Sequence, residues 1–288
     1  MDVSVILVNY NGGRLILRTL DSLFDTTGCH LAIEVFVVDN GSSDSSVSEI
    51  RQRYPHVKVI NNAANVGFSR ANNQAISLSH GRYILLLNPD TVLKEIAVDQ
   101  VVNFMDEHPE VGICGPKVVL PNGRLDRACR RTFKTPSMYL YHGLGLSRIF
   151  KRSPALGQYY LSYLDPDMLT EVDSIMGAFM MVRRETVDTI GYLDESFFMY
   201  CEDEDWCFRA KRAGWKVVYN PRAEIIHHKG SSSSGRKMAM IWEWHKSVYR
   251  FHRKNLAPSY SHLSNMMVYV LIGLNLVASF LKNSVIRS

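Results

Sequence analysis

The sequence predicts an α/β protein with a mixed, mostly parallel central sheet flanked by helices. The chain opens with short, β-branched apolar runs, Val3–Val8 and Ile33–Val38, which are typical of strands buried on both faces of a parallel sheet. Segments with apolar residues at helical spacing separate these runs. Regular alternation of strand and helix gives parallel strands joined by right-handed crossovers.

The predicted elements follow one another at short intervals through the first ninety residues. Val3–Val8 forms the first strand, and Asn9–Gly13 ends it with residues that favour turns. Residues 14–24 carry apolar side chains at helical spacing and form the first helix. The alternation then continues with a strand at 33–38, a helix at 45–54, a strand at 57–60, a helix at 69–79 and a strand at 82–87.

The composition is that of a globular protein. The 288 residues are 46% hydrophobic, enough for a sizeable core, and the formal net charge is +5. Basic side chains concentrate at 124–134 and 246–254, which suits a phosphorylated small molecule or an anionic membrane surface. Nucleic acid is not an expected partner, because no nucleic-acid-binding motif accompanies the charge. Five cysteines without paired spacing and no secretory signal predict a reducing cytoplasm.

Polar residues follow each of the first four predicted strands. Because ligands bind at the carboxyl ends of strands in such sheets, these residues predict a shared pocket, although polar loops are also common. Neither a Gly-x-Gly-x-x-Gly motif nor a Walker A loop is present. An Asp after the second strand and another after the fourth offer one carboxylate to a nucleoside and one to a divalent cation on a diphosphate. The strand-end residues are Asn9 and Tyr10, Asp39–Ser42, Asn61–Asn65 and Asn88–Asp90.

Four consecutive acidic residues, 202–205, lie between the aromatic residues Tyr200 and Trp206. Neighbouring carboxylates repel one another, so a folded protein tends to keep such a cluster where a metal, a cationic partner or a proton transfer uses it. The alternative is a helix N-terminus, where acidic residues complement the helix dipole. The cluster is therefore a candidate site that also suits the start of a helix.

Six separated motifs together resemble family-2 glycosyltransferases of the GT-A fold, and among these the bacterial rhamnosyltransferases. The resemblance runs in order from about residue 2 to 235 and implies an enzyme that moves a sugar from a nucleotide-diphosphate donor to a hydroxyl acceptor. The motifs are Val38–Ser42, Asn65–Phe68 with Asn72 and Asn73, Leu87–Asp90, Gly177–Met180, Phe198–Asp205 and His227–Ser232.

The resemblance also implies the donor and metal positions. Asp39 would bond the base or ribose, and Asp90 would be the surviving acid of an Asp-x-Asp metal motif in which Asn88 replaces the first Asp. His227, or its neighbour His228, would add a contact to the metal or diphosphate, and Mg²⁺ or Mn²⁺ fits such a site. The implied donor-binding residues are Asn9, Tyr10, Asp39, Asn65, Gly67, Asn73, Asn88, Gly177 and Ala178.

The same resemblance implies a catalytic role for the acidic cluster. Inverting transfer needs a base for the acceptor's proton, and Asp203 matches the family's base position. Glu202 or Asp205 would raise the pKa of Asp203, orient it, or contact the acceptor. A nucleotidyltransferase would need a basic Gly-rich loop after the first strand, which is lacking, and a non-catalytic sugar-binding protein would not need the base.

The expected organisation is a nucleotide-sugar-binding half at 1–115, an acceptor half at 116–235 and a helical extension at 236–288. The extension carries an apolar run, Met266–Leu281, that is shorter than the ~20 residues of a spanning helix. We expect peripheral contact with the inner face of the plasma membrane, which suits a polyprenyl-diphosphate-linked or other glycan acceptor. A docking helix or an oligomer contact is the alternative. The resemblance favours dTDP-rhamnose as the donor.

Overall fold

The computed structural model describes residues 1–28, 30–143, 146, 150, 153–154, 156–229 and 237–285. These residues form one nine-stranded sheet in the order β3-β2-β1-β4-β8-β6-β9-β5, with β7 paired to β9. The strands are β1 (Val3–Asn9), β2 (Ile33–Asp39), β3 (Lys58–Asn61), β4 (Tyr83–Leu87), β5 (Thr91–Leu93), β6 (Val111–Val119), β7 (Thr170–Glu171), β8 (Phe179–Arg183) and β9 (Lys216–His227).

Helices cover the sheet and continue beyond it. They are α1 (Gly13–Thr26), α2 (Ser46–Arg53), α3 (Phe68–Ile76), α4 (Ala97–Glu107), α5 (Pro136–Gly143), α6 (Arg184–Ile190), α7 (Glu202–Arg212), α8 (Lys237–Phe251) and α9 (His262–Val285). The predicted strand and helix alternation of the first ninety residues is confirmed, with α3 ending three residues earlier than the sequence pattern predicts.

The first four predicted strands pair in parallel, as expected. In this half of the sheet Asn9 lies opposite Asp39, and Asp39 lies opposite Asn61. The interiors of β1, β2 and β4 are almost wholly buried, which explains their continuous apolar sequence, whereas β3 at the sheet edge is partly exposed. Parallel pairing therefore brings the polar residues after each strand to one edge, where the sequence predicted a pocket.

Antiparallel strands complete the mixed sheet and add the later motifs to the same edge. β8 runs against β4, so the backbone N–H of Asn88 donates to the Ala178 oxygen at 3.0 Å. β5 runs against β9 and pairs Thr91 with His227. Residues from 177–178 and 227 thus reach the end of β4 despite their distance along the chain.

The predicted helical extension is confirmed in α8 and α9. These helices pack on α5 through a second apolar cluster that includes Tyr139, Phe251 and Val268. The final helix is longer than the apolar run suggests, because polar residues at both ends also adopt helical structure. Residues 262–283 have the length and composition of a membrane-crossing helix, and 17% of its most apolar window is buried.

Candidate active site

A cavity of about 620 Å³ opens at the carboxyl ends of β1 and β4. The sequence-predicted residues that line it are Tyr10, Asn65, Gly67, Asn88, Asp90, Gly177, Ala178, Glu202, Asp203 and His227. The structure therefore brings together residues from all six motifs, and in the Val38–Ser42 motif Asn40 lines the cavity in place of Asp39. Asn9, Asp39, Asn73 and Asp205 lie behind this lining.

Asn9 and Asp39 bond to each other beneath the cavity wall. The Asn9 side-chain nitrogen donates to Asp39 Oδ1 at 2.8 Å, and the backbone N–H of Ser42 donates to Asp39 Oδ2 at 3.0 Å. Both side chains are buried. In this geometry they fix the loop after β2, which carries Asn40 to the cavity.

The loop after β3 and helix α3 contact the segment that leads into the acidic cluster. The residues involved are Asn65, Gly67 and Asn73. Asn65 Oδ1 accepts from the Gly67 N–H at 2.9 Å, and Gly67 has a φ of +91°, which favours glycine. A Cβ at Gly67 would lie 2.7 Å from the backbone oxygen of Phe198, so the close approach also requires glycine. Asn73 bonds to both the N–H and the oxygen of Leu193, away from the cavity.

Asp90 and His227 face each other at the candidate metal position. Asp90 Oδ1 lies 3.1 Å from His227 Nε2, and the second ring nitrogen of His227 lies 3.7 Å from Asp126. Burial disfavours the charged imidazole, but Asp126 and Asp90 outweigh it, so the pKa of His227 is raised. The backbone of His228 bonds to Asp90, whereas its side chain does not line the cavity.

These residues fit a cation that is held only partly by protein. In the described ranges, no group of three or more His, Cys, Asp or Glu side chains could hold a metal by itself. One carboxylate and one imidazole nitrogen nevertheless face the cavity; the carboxylate suits either Mn²⁺ or Mg²⁺, and the imidazole suits a transition-metal ion such as Mn²⁺ better than Mg²⁺. A diphosphate and water would have to supply the remaining ligands.

The acidic cluster begins helix α7, which confirms the helical interpretation, and its first three residues line the cavity. Tyr200 and Cys201, just before it, have φ of 72° and 63°. Such left-handed backbone is costly for residues other than glycine and is found at functional sites. This turn points the first residues of α7 towards the cavity.

Arg131 holds two members of the cluster. Its guanidinium donates to Asp203 Oδ2 and to Glu204 Oε1, both at 2.7 Å. Asp203 also accepts from the Gly177 N–H at 3.3 Å and from the Glu204 N–H at 2.8 Å. An ionised carboxylate offers about four acceptor positions, so Asp203 retains room for one more proton donor at the cavity.

Glu202 and Asp205 have different environments. The side chain of Glu202 lines the cavity, and its Oε2 is buried without a hydrogen-bond partner in the described part of the chain. Burial and the charge of Asp203 raise the pKa of Glu202. Asp205 instead lies behind the cavity, where it bonds to Arg209 and Asn255.

Sequence reasoning missed several cavity residues. Arg131 and Lys134 line the cavity, although the sequence assigned them only to a basic patch. A third member of that patch, Arg130, is buried and donates to the backbone oxygens of Leu164 and Asp165. The patch is therefore not a continuous phosphate-binding surface. Asp126 and Tyr159 also line or support the site and carried no motif signal, whereas Lys229 lies in the His227–Ser232 motif without an assigned role. Helix α8 adds Met240, Trp244, Val248 and Phe251 to the lining.

Sequence comparison defines the class of protein. The model of glycosyl transferase family 2 matches residues 4–190, and the chain belongs to this family. A Mycobacterium tuberculosis protein named N-acetylglucosaminyl-diphospho-decaprenol L-rhamnosyltransferase is 30% identical over 86% of this chain and 82% of its own length. The Escherichia coli rhamnosyltransferase WbbL is 23% identical over 86% of this chain and 92% of its own.

Solved structures confirm the GT-A fold. GalNAc-T7 with UDP, GalNAc and Mn²⁺ superposes with a TM-score of 0.64 at 15% identity, over 88% of this chain and 48% of GalNAc-T7. This chain thus spans about half of that protein. The Pyrobaculum calidifontis mannosyltransferase PcManGT, with GDP-Man and Mn²⁺, gives a TM-score of 0.59 at 17% identity, over 96% of this chain and 74% of its own.

Proposed function

We propose that this protein is an inverting glycosyltransferase that transfers rhamnose from dTDP-rhamnose to a polyprenyl-diphosphate-linked glycan. The observation that carries the proposal is the convergence of Asp203 with the facing pair Asp90 and His227 on one cavity. The named activity of the mycobacterial relative supports the choice of sugar and acceptor. The +5 net charge and the helical extension suit work beside an anionic membrane.

The donor occupies the half of the cavity formed by the ends of β1, β2 and β4. Tyr10 and Asn40 line the nucleoside side, on a loop that Asn9 and Asp39 hold in place. The donor's sugar would meet its diphosphate beside Asn88, Gly177 and Ala178. An added Cβ at Gly177 would lie 3.7 Å from Phe68 and 3.9 Å from Asp203, so this backbone borders the space between donor and base.

Asp90 and His227 would hold a Mn²⁺ or Mg²⁺ ion on the donor's diphosphate. When bound, the ion offsets the negative charge that develops on the departing phosphates. Asp126 lies 3.7 Å from the second ring nitrogen of His227 and pairs with Lys229, so its charge favours this orientation of the ring. The Mn²⁺ ions in the related structures support this assignment.

Asp203 acts as the general base. The acceptor hydroxyl oxygen forms a bond to the anomeric carbon, the bond from that carbon to the donor phosphate breaks, and the proton passes to Asp203. Arg131 holds this carboxylate in position through its 2.7 Å hydrogen bond. Glu202, neutral when its buried carboxyl keeps the proton, can donate a hydrogen bond to a sugar oxygen on the same side.

The acceptor's lipid places the enzyme at the inner face of the plasma membrane. Helix α9 buries Val268 and Ile272 against the protein and exposes an apolar stripe on the other side. The stripe runs for about 27 Å at 1.5 Å per residue. Trp242 and Trp244 are also exposed near the cavity, and tryptophan favours membrane interfaces. The stripe consists of Leu263, Met266, Val270, Leu274, Val277 and Leu281.

A donor panel with an added acceptor tests the function. Purified protein would be given dTDP-rhamnose, UDP-glucose, UDP-galactose, UDP-GlcNAc or GDP-mannose, with Mn²⁺ or with EDTA. Metal-dependent release of a nucleoside diphosphate from dTDP-rhamnose is expected. Release from a different donor would replace the sugar but keep the reaction class, and binding of none of the nucleotides would reject the proposal.

The Asp203→Asn variant tests the catalytic base. Losing a general base typically lowers turnover by about 10²- to 10⁴-fold, while donor binding should persist. Asp188→Asn, which changes an exposed residue of α6, is the matched control. Turnover of Asp203→Asn within about threefold of the control would remove Asp203 from its assigned role.

A further inference from the structure

Lys134 places an ammonium group at the cavity between two tyrosine rings. Its Nζ lies 4.3 Å from the ring centre of Tyr139 and 5.6 Å from that of Tyr159. Both tyrosines also line the cavity. An ammonium over an aromatic face is attracted by the ring but keeps its full charge.

The other cations of this region are already paired with carboxylates. Arg131 bonds to Asp203 and Glu204, and Lys229 lies 2.7 Å from Asp126. Within the residues that the structure describes, Lys134 makes no ion pair and no hydrogen bond through its ammonium. Burial lowers its pKa to about 8, and the more distant Glu204 only partly compensates. The cavity therefore contains a cation whose charge lacks a contacting partner.

The surroundings of Lys134 are those of an amphipathic ligand. Met240, Trp244 and Val248 of α8 line the same cavity, and Tyr139 joins the apolar cluster that anchors α8 and α9. This wall differs from the Asp90 and His227 wall, where Asp90 faces His227 and Lys229 already pairs with Asp126, so that the described residues there offer no unpaired cation to an anion that brings no metal. Lys134 therefore suits the anionic group of such a ligand, and the side chains of α8 suit the apolar chain attached to it.

We propose that Lys134, with Tyr139 and Tyr159, forms a subsite for the phosphate of the acceptor, and that Trp244 and Val248 receive the start of its polyprenyl chain. This inference rests on the proposed function and specifies where its acceptor binds. The acceptor's diphosphate is unchanged by the reaction, so it needs no metal to offset developing charge. A lysine that contacts phosphate directly therefore suits it. The donor's diphosphate belongs to the separate position at Asp90.

Acceptor kinetics test the subsite in the full-length protein. Two acceptor probes carry the same sugar, N-acetylglucosamine. One is farnesyl-diphospho-N-acetylglucosamine, and the other is the octyl glycoside of N-acetylglucosamine, which has no phosphate. We expect Lys134→Met to raise KM for the diphosphate probe by about ten- to hundredfold, the range of a charged hydrogen bond. The donor KM and the kcat/KM for the octyl probe should change by less than about twofold.

Control variants separate binding from folding. Lys134→Arg keeps the charge and should retain most of the affinity for the diphosphate probe. Lys216→Met changes an exposed lysine far along β9 and should alter neither KM. The thermal midpoint of Lys134→Met should equal or exceed that of the parent protein, because an unpaired, largely buried charge is removed. A purely structural role for Lys134 would instead lower it.

The outcomes distinguish the subsite from the function on which it rests. Transfer by the parent protein, with an unchanged acceptor KM in Lys134→Met, would overturn the subsite and leave the function standing. A raised donor KM with normal acceptor KM would assign Lys134 to the donor and also overturn it. Binding of pyrophosphate in EDTA, measured by calorimetry, tests the subsite without turnover: weaker binding by Lys134→Met supports it, and equal binding refutes it.

Discussion

The buried carboxyl group of Glu202 makes the stability of the protein depend on pH. Its side chain is only 7% exposed, and Oε2 has no hydrogen-bond partner in the described part of the chain. Burial, followed by the charge of Asp203, raises the pKa of Glu202 from 4.5 to about 8. Unfolding exposes the group to water and restores the ordinary value.

The sign of the effect follows from proton binding. Between pH 4.5 and about 8 the folded protein keeps a proton on Glu202 that the unfolded chain has lost. Unfolding then releases this proton, so stability is full below the unfolded pKa and falls as the pH rises towards the folded pKa. One proton corresponds to a slope on the order of 1 kcal/mol per pH unit in this window.

Urea unfolding of Glu202→Gln measures this slope. The amide keeps the shape of the protonated acid and removes the titration, so the parent protein should lose stability relative to the variant from about pH 5 to 8. Glu185→Gln, at an exposed position of α6, serves as the control. Parallel pH profiles for the parent and Glu202→Gln would refute the reasoning, because they would show that Glu202 titrates alike when folded and unfolded.

Two further predictions concern the site and the membrane. Arg131→Met removes the cation shared by Asp203 and Glu204, and should cost about 3–5 kcal/mol in urea unfolding because it leaves buried charge unpaired; a loss under about 1 kcal/mol would contradict this. Leu274→Glu should abolish sedimentation with phosphatidylglycerol vesicles, whereas Leu78→Glu, at a similarly exposed position outside the stripe, should not. Unchanged vesicle binding, or a dimer that Leu274→Glu dissociates, would reject the lipid assignment.

Much of the fold was predictable because local pattern and sheet topology agree. The apolar runs at Val3–Val8 and Ile33–Val38 have few alternatives to parallel strands, and parallel pairing sends their following residues to one edge. Spaced motifs then identified Asp90, Asp203 and His227, all of which reach the cavity. Asp90 could be predicted because it follows a strand that the sequence marks, whereas Asp203 and His227 were identified through the family resemblance.

The partners of these residues could not be predicted in the same way. Arg131 contacts Asp203 across 72 positions of sequence, and neither residue's neighbours indicate the other. Asn9 and Asp39 carry the motif signal of a ligand contact, yet their polar atoms are used within the loop after β2. Which polar atoms remain for a ligand depends on side-chain pairing, and periodicity contains no information about it.

The helical extension is a part of the candidate site. Ser247 Oγ donates to the Met199 oxygen at 2.9 Å, and Asn255 donates to Asp205 at 2.8 Å, so the segment around the acidic cluster is held from the C-terminal side. The family model ends at residue 190, before both the cluster and His227. The matched region carries Asp90, Arg131 and Gly177 of the cavity lining, whereas Asp203, His227 and the residues of helix α8 lie beyond it. This division explains why the family was easier to predict than the acceptor.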